Sequence, residues 1–162
     1  MNRGAIISAC GQYRYRLWRV WDAGLPVLVF VMLNPSTADA NCDDPTVRKC
    51  MGFAKRLGYG GIVIVNLFAY RATHPKDLKG AGWPIGPEND EHIARVAAAP
   101  GSTVVCAWGA NARGMSRQGE VLQILRLWSA APPIALRLTT DGVPWHPLML
   151  PYDCRPTRMP GP

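Results

Sequence analysis

The 162-residue chain lacks any long apolar run, and nothing in it approaches the about 18 uninterrupted apolar residues of a membrane-spanning helix. The first ten residues contain one arginine and no long apolar stretch, so they do not resemble a signal peptide. Apolar residues make up 48% and charged residues 18%, a balance that excludes a disordered chain. We therefore expect one folded domain over residues 1–162, located in the cytoplasm.

Cysteine is also sparse, and its spacing excludes several kinds of site. Of the five cysteines, the nearest pair, Cys42 and Cys50, is separated by seven residues. A secreted disulfide scaffold needs a denser, even set, and a zinc or iron–sulfur site needs thiolates at ligand spacing. The sequence therefore predicts buried thiols in a reducing compartment, with no metal and no cofactor.

Acidic residues are the third scarcity. Eleven Asp and Glu against 18 Lys and Arg give a formal net charge of +7 and a pI near 9.5. Such a surplus favours a polyanionic partner, although many basic proteins bind none.

What the chain does contain is an alternation of strands and amphipathic helices. Val27–Leu33 is a continuous apolar run of the kind that is covered on both faces. Asp44, Pro45 and Gly58 supply the cap, the first turn and the stop of a helix. The aromatic and Arg-rich run Tyr13–Trp21 predicts an edge or hairpin strand. The other predicted elements are strands over Ile62–Val65, Thr103–Ala107 and Ile134–Leu138, helices over Glu88–Ala99 and around Val121–Trp128, and a long loop over Thr73–Pro87.

This order of elements predicts an α/β sandwich with a mainly parallel sheet. The expected core covers about residues 13–150, and the proline-rich tail over 151–162 is expected to fray. In such sheets a ligand binds beyond the carboxyl ends of the strands. The polar segments that follow the predicted strands are, in order, Asn34-Pro35-Ser36-Thr37, Asn66, Trp108-Gly109-Ala110-Asn111 and His146-Pro147.

These segments carry amides and an imidazole rather than a recognisable nucleophile. No Ser or Cys has a base at a recognisable spacing, and no Gly-rich phosphate loop follows a strand. Amides pair well with the carbonyl–imide edge of a nucleobase, and a histidine can stabilise charge that develops on an oxygen. The set predicts nucleobase recognition, while Asn or His at a strand end also serves as a turn or cap residue.

In order and spacing, four segments resemble the motifs of the uracil-DNA glycosylase superfamily. They are Val31-Met32-Leu33-Asn34-Pro35, Ile64-Val65-Asn66-Leu67 with Arg71-Ala72, Trp108-Gly109-Ala110-Asn111-Ala112, and His146-Pro147-Leu148-Met149-Leu150. The resemblance runs from about Val27 to Leu150 and implies a three-layer sandwich with a mainly parallel central sheet and a basic groove. Separately, Leu33–Ala38 with Asp44-Pro45-Thr46 resembles a family of bacterial and phage domains, the domain of unknown function 1643.

The glycosylase resemblance implies a role for each motif. Asn34 would orient the attacking water, Asn66 would pair with the base edge, and His146 would stabilise O2 of the leaving base. Glycosidic cleavage builds negative charge on the base, so catalysis requires that this charge be neutralised. Such an enzyme flips the nucleotide out of the stack. The residues that either fill the vacated space or pack in the core are Leu148, Met149 and Leu150.

The first motif departs from the family pattern after Pro35. Efficient uracil enzymes of this superfamily have a large Tyr there that crowds C5 of the base, whereas this chain has Ser36 and then Thr37. Together with Pro35, these small residues predict a base pocket that accepts a 5-substituent, as in 5-hydroxymethyluracil. Asn34 replaces Asp, and an amide is no general base, so the chemistry is expected to depend on leaving-group stabilisation.

Three further groups of residues leave alternatives open. The first group is acidic and comprises Asp39, Asp43 and Asp44. These residues could bind a metal or supply a base, but capping of a helix in a solvated loop is the simpler interpretation. The candidates for an aromatic that stacks on the base are Phe53, Phe68 and Trp145. For each of them a place in the core is the simpler interpretation. The third group consists of cations near the predicted strand ends, which either contact DNA phosphates or form a generally basic surface. They are Arg71, Lys76, Lys79, Arg113, Arg117, Arg155 and Arg158.

The sequence thus predicts a monofunctional DNA glycosylase for uracil-type bases, particularly 5-substituted ones. No Lys is placed at the strand ends, so no lyase activity through a Schiff base is expected. The expected partner is DNA with a modified or deaminated pyrimidine, bound by a monomer. Two alternatives stay open: an enzyme that processes modified nucleosides or nucleotides, and a non-catalytic module that binds modified DNA.

Overall fold

A computed structural model describes residues 1–82 and 84–161 and contains one seven-stranded sheet. Its strands are β1 (Asn2–Ile7), β2 (Arg14–Val20), β3 (Val27–Met32), β4 (Gly61–Asn66), β5 (Thr103–Cys106), β6 (Ile134–Ala135) and β7 (Thr157–Arg158). The α-helices are α1 (Pro45–Arg56), α2 (Asn89–Ala97) and α3 (Arg117–Trp128), and short 3₁₀ helices cover Pro75–Gly80, Ala110–Ala112 and Pro147–Met149. Positions 83 and 162, in the predicted loop and tail, lie outside the described residues.

The sheet is mixed, which corrects the expectation of a mainly parallel one. The strand order is β1-β2-β4-β3-β5-β6-β7. The central strands β4, β3, β5 and β6 run parallel, while the β1–β2, β2–β4 and β6–β7 pairs are antiparallel. The sequence pattern identifies the central strands because they are buried on both faces. It also predicts β2 as an edge or hairpin strand, whereas β1 and β7, which complete the antiparallel edges, were not predicted.

Helices cover both faces of the sheet, as expected for an α/β sandwich. Helix α1 packs Phe53 over Phe30 of β3 on one face. Helices α2 and α3 pack Ile93 and Leu125 over Val31 on the other. Successive residues of a strand point to opposite faces, so β3 is apolar throughout because both of its faces are covered. Across residues 1–82 and 84–161, no helix has the length and apolar character needed to cross a membrane.

Helix α1 begins and ends where the sequence predicts. Asp44 accepts a hydrogen bond from the Val47 N–H at 2.8 Å, and Pro45 lies in the first turn. Gly58 follows the helix with a φ of +84°, a conformation that side chains disfavour. These signals are local in sequence, so they are readable without knowledge of the tertiary structure.

The tail is docked on the domain, so the expectation that it frays is wrong for the residues described. Thr157–Arg158 forms β7 and pairs with β6 at the edge of the sheet. The ring of Tyr152 lies 4.9 Å from that of Phe53, and Lys49 Nζ lies 4.3 Å from the Tyr152 ring. The pairing and the aromatic contacts hold a segment whose proline content alone suggested disorder.

The cysteines are all free thiols, as the spacing predicts. Cys50 and Cys106 are buried, and burial raises the pKa of both thiols, so they are inert at neutral pH. Cys10 and Cys42 are exposed, which corrects the expectation that the thiols are buried as a set.

Candidate functional site

A cavity of about 420 Å³ lies beyond the carboxyl ends of β3, β4 and β5, where ligands bind in sheets with parallel strands. Its volume is within the range of small-molecule pockets. The residues predicted for the site that line it are Asn34, Ser36, Thr37, Asn66, His146 and Leu148. The wall also includes Arg14, Asp44, Trp108, Gly109 and Asn111.

Asn66, the last residue of β4, offers the cavity a hydrogen-bond donor without a partner. The residue is 1% exposed, and its Nδ2 makes no hydrogen bond within the described part of the chain. A buried donor left unsatisfied costs about 1–3 kcal/mol. Because Asn66 lines the cavity, a ligand or a water molecule there can supply the acceptor.

The backbone at the end of β4 is held by the helices on one face. Nδ2 of Asn89, at the start of α2, donates to the carbonyls of Asn66 and Leu67 at 2.9 and 3.1 Å. Nε of Arg117, at the start of α3, donates to the Leu67 carbonyl at 2.8 Å. Sequence reasoning missed Asn89 because nothing local distinguishes it from any polar residue in a first helical turn.

Asn34 presents an acceptor to the cavity, because both of its amide hydrogens are committed. Nδ2 donates to the carbonyls of Pro35 and Ala72 at 3.0 and 2.7 Å. The Ala72 N–H donates to the Pro35 carbonyl at 2.9 Å, which closes the clamp. Oδ1 is therefore the atom of Asn34 left for a ligand or water. Pro35 is buried and lies behind the wall rather than in it.

His146 reaches the cavity because the chain after β6 turns back towards β5. The Gly109 N–H donates to the Pro144 carbonyl at 3.0 Å. A Cβ on Gly109, whose φ is +82°, would lie 3.1 Å from the Cβ of His146, so both the turn and the close approach favour glycine. Asn111 lines the cavity from the turn that follows.

The hydrogen bonding of His146 fixes the position of its proton. Nδ1 accepts a hydrogen bond from the Leu148 N–H at 3.1 Å. Burial lowers the pKa of His146, and the negative charge of Asp44 opposes that shift. At pH 7 the ring is therefore neutral, with its proton on Nε2, which can donate to a ligand oxygen.

The three predicted acidic residues have separate structural roles, which favours the capping interpretation. Asp39 accepts two backbone N–H groups of its own loop, Asp43 pairs with Arg19 and Arg3 at 2.7 and 3.1 Å, and Asp44 caps α1. No group of three His, Cys, Asp or Glu side chains in the described residues is arranged to hold a metal ion. Of the three, Asp44 alone lines the cavity.

Arg14 lines the cavity although sequence reasoning placed it only in a strand. Ile6 pairs with Arg16 and Ile7 with Arg14, so Tyr15 is a bulge in β2. The bulge reverses the alternation of side chains along β2, and the Arg14 side chain lies against the loop before α1, where Nη1 donates to the Ala38 carbonyl at 2.8 Å. The bulge depends on pairing with β1, a strand that the sequence pattern did not reveal, so no local signal marks Arg14.

The predicted wedge residues occupy two environments. Leu148 is 40% and Met149 81% exposed, on the short helix beside the cavity, and Leu148 lines the wall. Leu150 is 1% exposed and packs in the core beneath α1. Leu150 is therefore a core residue, and its assignment to the wedge is wrong.

None of the three aromatics predicted to stack on the base lines the cavity. Phe53 is in the core, Phe68 packs against the core on the opposite face, and Trp145 is 37% exposed. Trp108 is the aromatic among the described wall residues, and its Nε1 donates to Gln118 at 2.9 Å. The core interpretation is therefore confirmed for Phe53 and Phe68, and none of the three candidates stacks on a ligand in this cavity.

Several of the predicted DNA-contacting cations have protein partners. Arg113 makes two hydrogen bonds to Asp141, at 2.8 and 3.1 Å. Arg117 is 4% exposed and pairs with two acidic side chains, so neither alternative, phosphate contact or a basic surface, holds for it. Arg71 is partly buried, and Arg155 is exposed; neither they nor Arg113 line the cavity.

The parallel strands and the amides, imidazole and hydroxyls at their ends define an α/β protein with a polar cavity at the strand ends, a candidate site for a small ligand. A sequence profile of the family DUF1643, described as a protein of unknown function, matches residues 14–148. The chain therefore belongs to the DUF1643 family. The matched range contains all the described wall residues of the cavity. No curated protein and no solved structure matched the chain significantly.

Proposed function

We propose that this protein is a monofunctional DNA glycosylase that hydrolyses the N-glycosidic bond of uracil-type bases, particularly 5-substituted ones such as 5-hydroxymethyluracil. The fold would then be a variant of the uracil-DNA glycosylase sandwich with antiparallel edges. The observation that carries the proposal is the buried, unpartnered Nδ2 of Asn66 at the cavity wall. Among small polar ligands, a pyrimidine dione offers the carbonyl acceptor that this donor lacks.

Recognition of the base edge is assigned to Asn66. Its amide can donate to the O4 carbonyl of uracil and accept from the N3–H, which matches the carbonyl–imide edge. Ser36 and Thr37 line the same cavity with small hydroxyl side chains. They leave space next to C5 of the base, and their hydroxyls can hydrogen-bond to a hydroxymethyl substituent.

Departure of the base is assigned to His146. A water oxygen bonds to C1′ of the sugar while the bond from C1′ to N1 breaks, and the electron pair of that bond leaves with the base. Nε2–H of the neutral His146 donates to O2, where the negative charge accumulates, and this hydrogen bond stabilises the transition state. Proton uptake by N1 of the base completes the release.

Orientation of the attacking water is assigned to Asn34. Its free Oδ1 accepts one hydrogen of the water but does not remove a proton. Asp44 is the carboxylate among the described wall residues, with Oδ1 held by the Val47 N–H. The second proton of the water therefore goes to Oδ2 of Asp44 or to the solvent.

Access to a base within DNA requires flipping, which costs a few kcal/mol. Leu148 and Met149 are exposed apolar side chains beside the cavity, suited to fill the vacated stack. Arg71 and Arg155 are the cations that we assign to the DNA backbone, and Arg113 can join them if its pair with Asp141 opens. The active species is a monomer.

The proposal is tested with oligonucleotides that carry one uracil, 5-hydroxymethyluracil, thymine or hypoxanthine, followed by alkali to cleave abasic sites. We expect scission at 5-hydroxymethyluracil that requires the alkali step. Scission without alkali would contradict the monofunctional mechanism. Intact strands with tight binding would support a non-catalytic binder of modified DNA, and neither scission nor binding would support nucleotide processing.

Ser36→Tyr tests the specificity directly, because it restores the large residue that crowds C5. We expect release of 5-hydroxymethyluracil to fall at least about tenfold relative to release of uracil. Gel quantification of both substrates under single-turnover conditions gives the ratio. An unchanged ratio would show that Ser36 does not face the 5-position.

A further inference from the structure

The guanidinium of Arg14 is buried at the cavity with part of its hydrogen-bonding capacity unused. The residue is 4% exposed and lines the wall. Nη1 donates to the Ala38 carbonyl at 2.8 Å, whereas Nε is buried and has no partner among the described residues. No carboxylate in residues 1–82 and 84–161 lies within 4.0 Å of this guanidinium.

Arg19, on the same strand, is a buried guanidinium whose hydrogen bonds are supplied by the protein itself. It is 0% exposed, its Nε pairs with Asp43 at 2.7 Å, and its other nitrogens donate to four backbone carbonyls. Arg14 is nearly as buried but has one such bond. Burial lowers the pKa of Arg14 to about 10, so the group is still charged at pH 7. A charged, incompletely satisfied guanidinium at a cavity wall favours an anionic ligand group.

The position of the Arg14 side chain indicates which part of the ligand it meets. Its bond to the Ala38 carbonyl places the guanidinium against the loop that carries Ser36 and Thr37. These are the residues assigned above to the 5-substituent of the base. A guanidinium presents a planar pair of donors that matches a carboxylate, and a hydroxymethyl group offers one oxygen and no charge.

We propose that Arg14 is a specificity-determining residue that binds a carboxylate at C5 of the pyrimidine, so that the preferred substrate class is 5-carboxyuracil in DNA. The part of this inference that names a DNA substrate rests on the proposed glycosylase function. The binding of the free base by Arg14 does not depend on that function. Asp44 lines the same cavity with Oδ1 on the Val47 N–H, and its negative charge favours the protonated form of Arg14 without a direct ion pair.

The kinetic test compares single-turnover base release from oligonucleotides with 5-carboxyuracil, 5-hydroxymethyluracil or uracil. For the wild type we expect release of 5-carboxyuracil at least about tenfold faster than release of 5-hydroxymethyluracil. Arg14→Met and Arg14→Lys should reduce the ratio of 5-carboxyuracil to uracil release by at least about tenfold, because Met lacks the charge and Lys lacks the planar fork. Arg16→Met, two residues away and outside the cavity wall, is the matched control.

The outcomes separate this inference from the proposed function. Thermal unfolding first shows whether Arg14→Lys is folded. If the folded variant leaves the ratio of 5-carboxyuracil to uracil release unchanged, the inference is overturned. An equal loss on all three substrates also overturns it, because Arg14 would then bind a phosphate common to every strand. Calorimetric binding of free 5-carboxyuracil and free uracil gives a readout without catalysis. If no base is released but wild type binds the free 5-carboxyuracil and Arg14→Lys does not, the glycosylase proposal fails and the carboxylate-binding role of Arg14 stands. If neither protein binds the free base, that role is overturned too.

Discussion

Four buried polar residues of this protein form two contrasting pairs according to whether the protein satisfies them. Arg19 and Arg117 are fully enclosed by acidic and carbonyl acceptors. Asn66 and Arg14, at the cavity, each retain a buried donor with no partner in the described chain. Arg16 Nε, Asn89 Oδ1 and Ser129 Oγ are also buried without a partner among the residues described but lie outside the cavity wall. We expect substitution of the first pair to lower stability and substitution of the second to lower ligand affinity.

Arg19→Met tests the first pair. The substitution leaves Asp43 and several backbone carbonyls without their buried donor, so the free energy of unfolding should fall by about 3–5 kcal/mol. Arg3→Met removes the more exposed partner of the same carboxylate and should cost less than about 1 kcal/mol. Urea unfolding of both variants gives the comparison. Equal losses would contradict the structural role of Arg19.

The pKa of His146 makes the stability of the domain depend on pH. Because burial lowers this pKa below the ordinary value of about 6.5, the unfolded chain takes up a proton that the folded protein excludes. The free energy of unfolding should therefore fall as the pH drops below about 6.5, until the folded residue also protonates. His92, whose pKa burial also lowers, adds a loss in the same direction.

His146→Gln should flatten part of this pH dependence, since glutamine does not titrate. Urea unfolding at several pH values between 7.5 and 5 measures the slope. A slope as steep as that of the wild type would assign the whole effect to other groups, His92 first among them.

At the scale of elements, what the sequence predicts depends on how local the signals are. The limits of α1 are readable because Asp44, Pro45 and Gly58 act within one turn of its ends. β1 and β7 were not predicted, because each is defined by pairing with another segment rather than by its own pattern. The same holds for Arg14, whose orientation depends on a bulge set by that pairing.

The docking of the tail on α1 brings Tyr152 into contact with Gly52, which a substitution can test. Gly52 lies in the middle of α1, where replacement of glycine by alanine would normally raise the free energy of unfolding by about 1 kcal/mol. A Cβ at this position would lie 2.6 Å from Cε1 and Cζ of Tyr152, so Gly52→Ala should destabilise the wild type. In a Tyr152→Ala background the same substitution should stabilise. A double-mutant cycle from thermal unfolding measures the coupling, and additive effects would contradict the docking.

At the scale of the whole molecule, the net charge of +7 overstates the surface available to DNA. Arg14, Arg19 and Arg117 are between 0% and 4% exposed, and the exposed Arg113 is paired with Asp141. Composition counts all of these as cations, because burial and pairing are not visible in a sequence. The place of the cavity and its amide and imidazole side chains were predictable, because the strand-end rule needs only the positions of the strands.

The central claim is that the cavity binds a pyrimidine through Asn66 and releases it from DNA. The most direct measurement is mass-spectrometric detection of the free base from a 5-substituted uracil oligonucleotide, with wild type, Asn66→Ala and the exposed control Asn41→Ala. We expect release by wild type and Asn41→Ala, and at least about a hundredfold less by Asn66→Ala, which is the loss expected when a transition-state hydrogen bond is removed. Release by Asn66→Ala at the wild-type rate would contradict the claim.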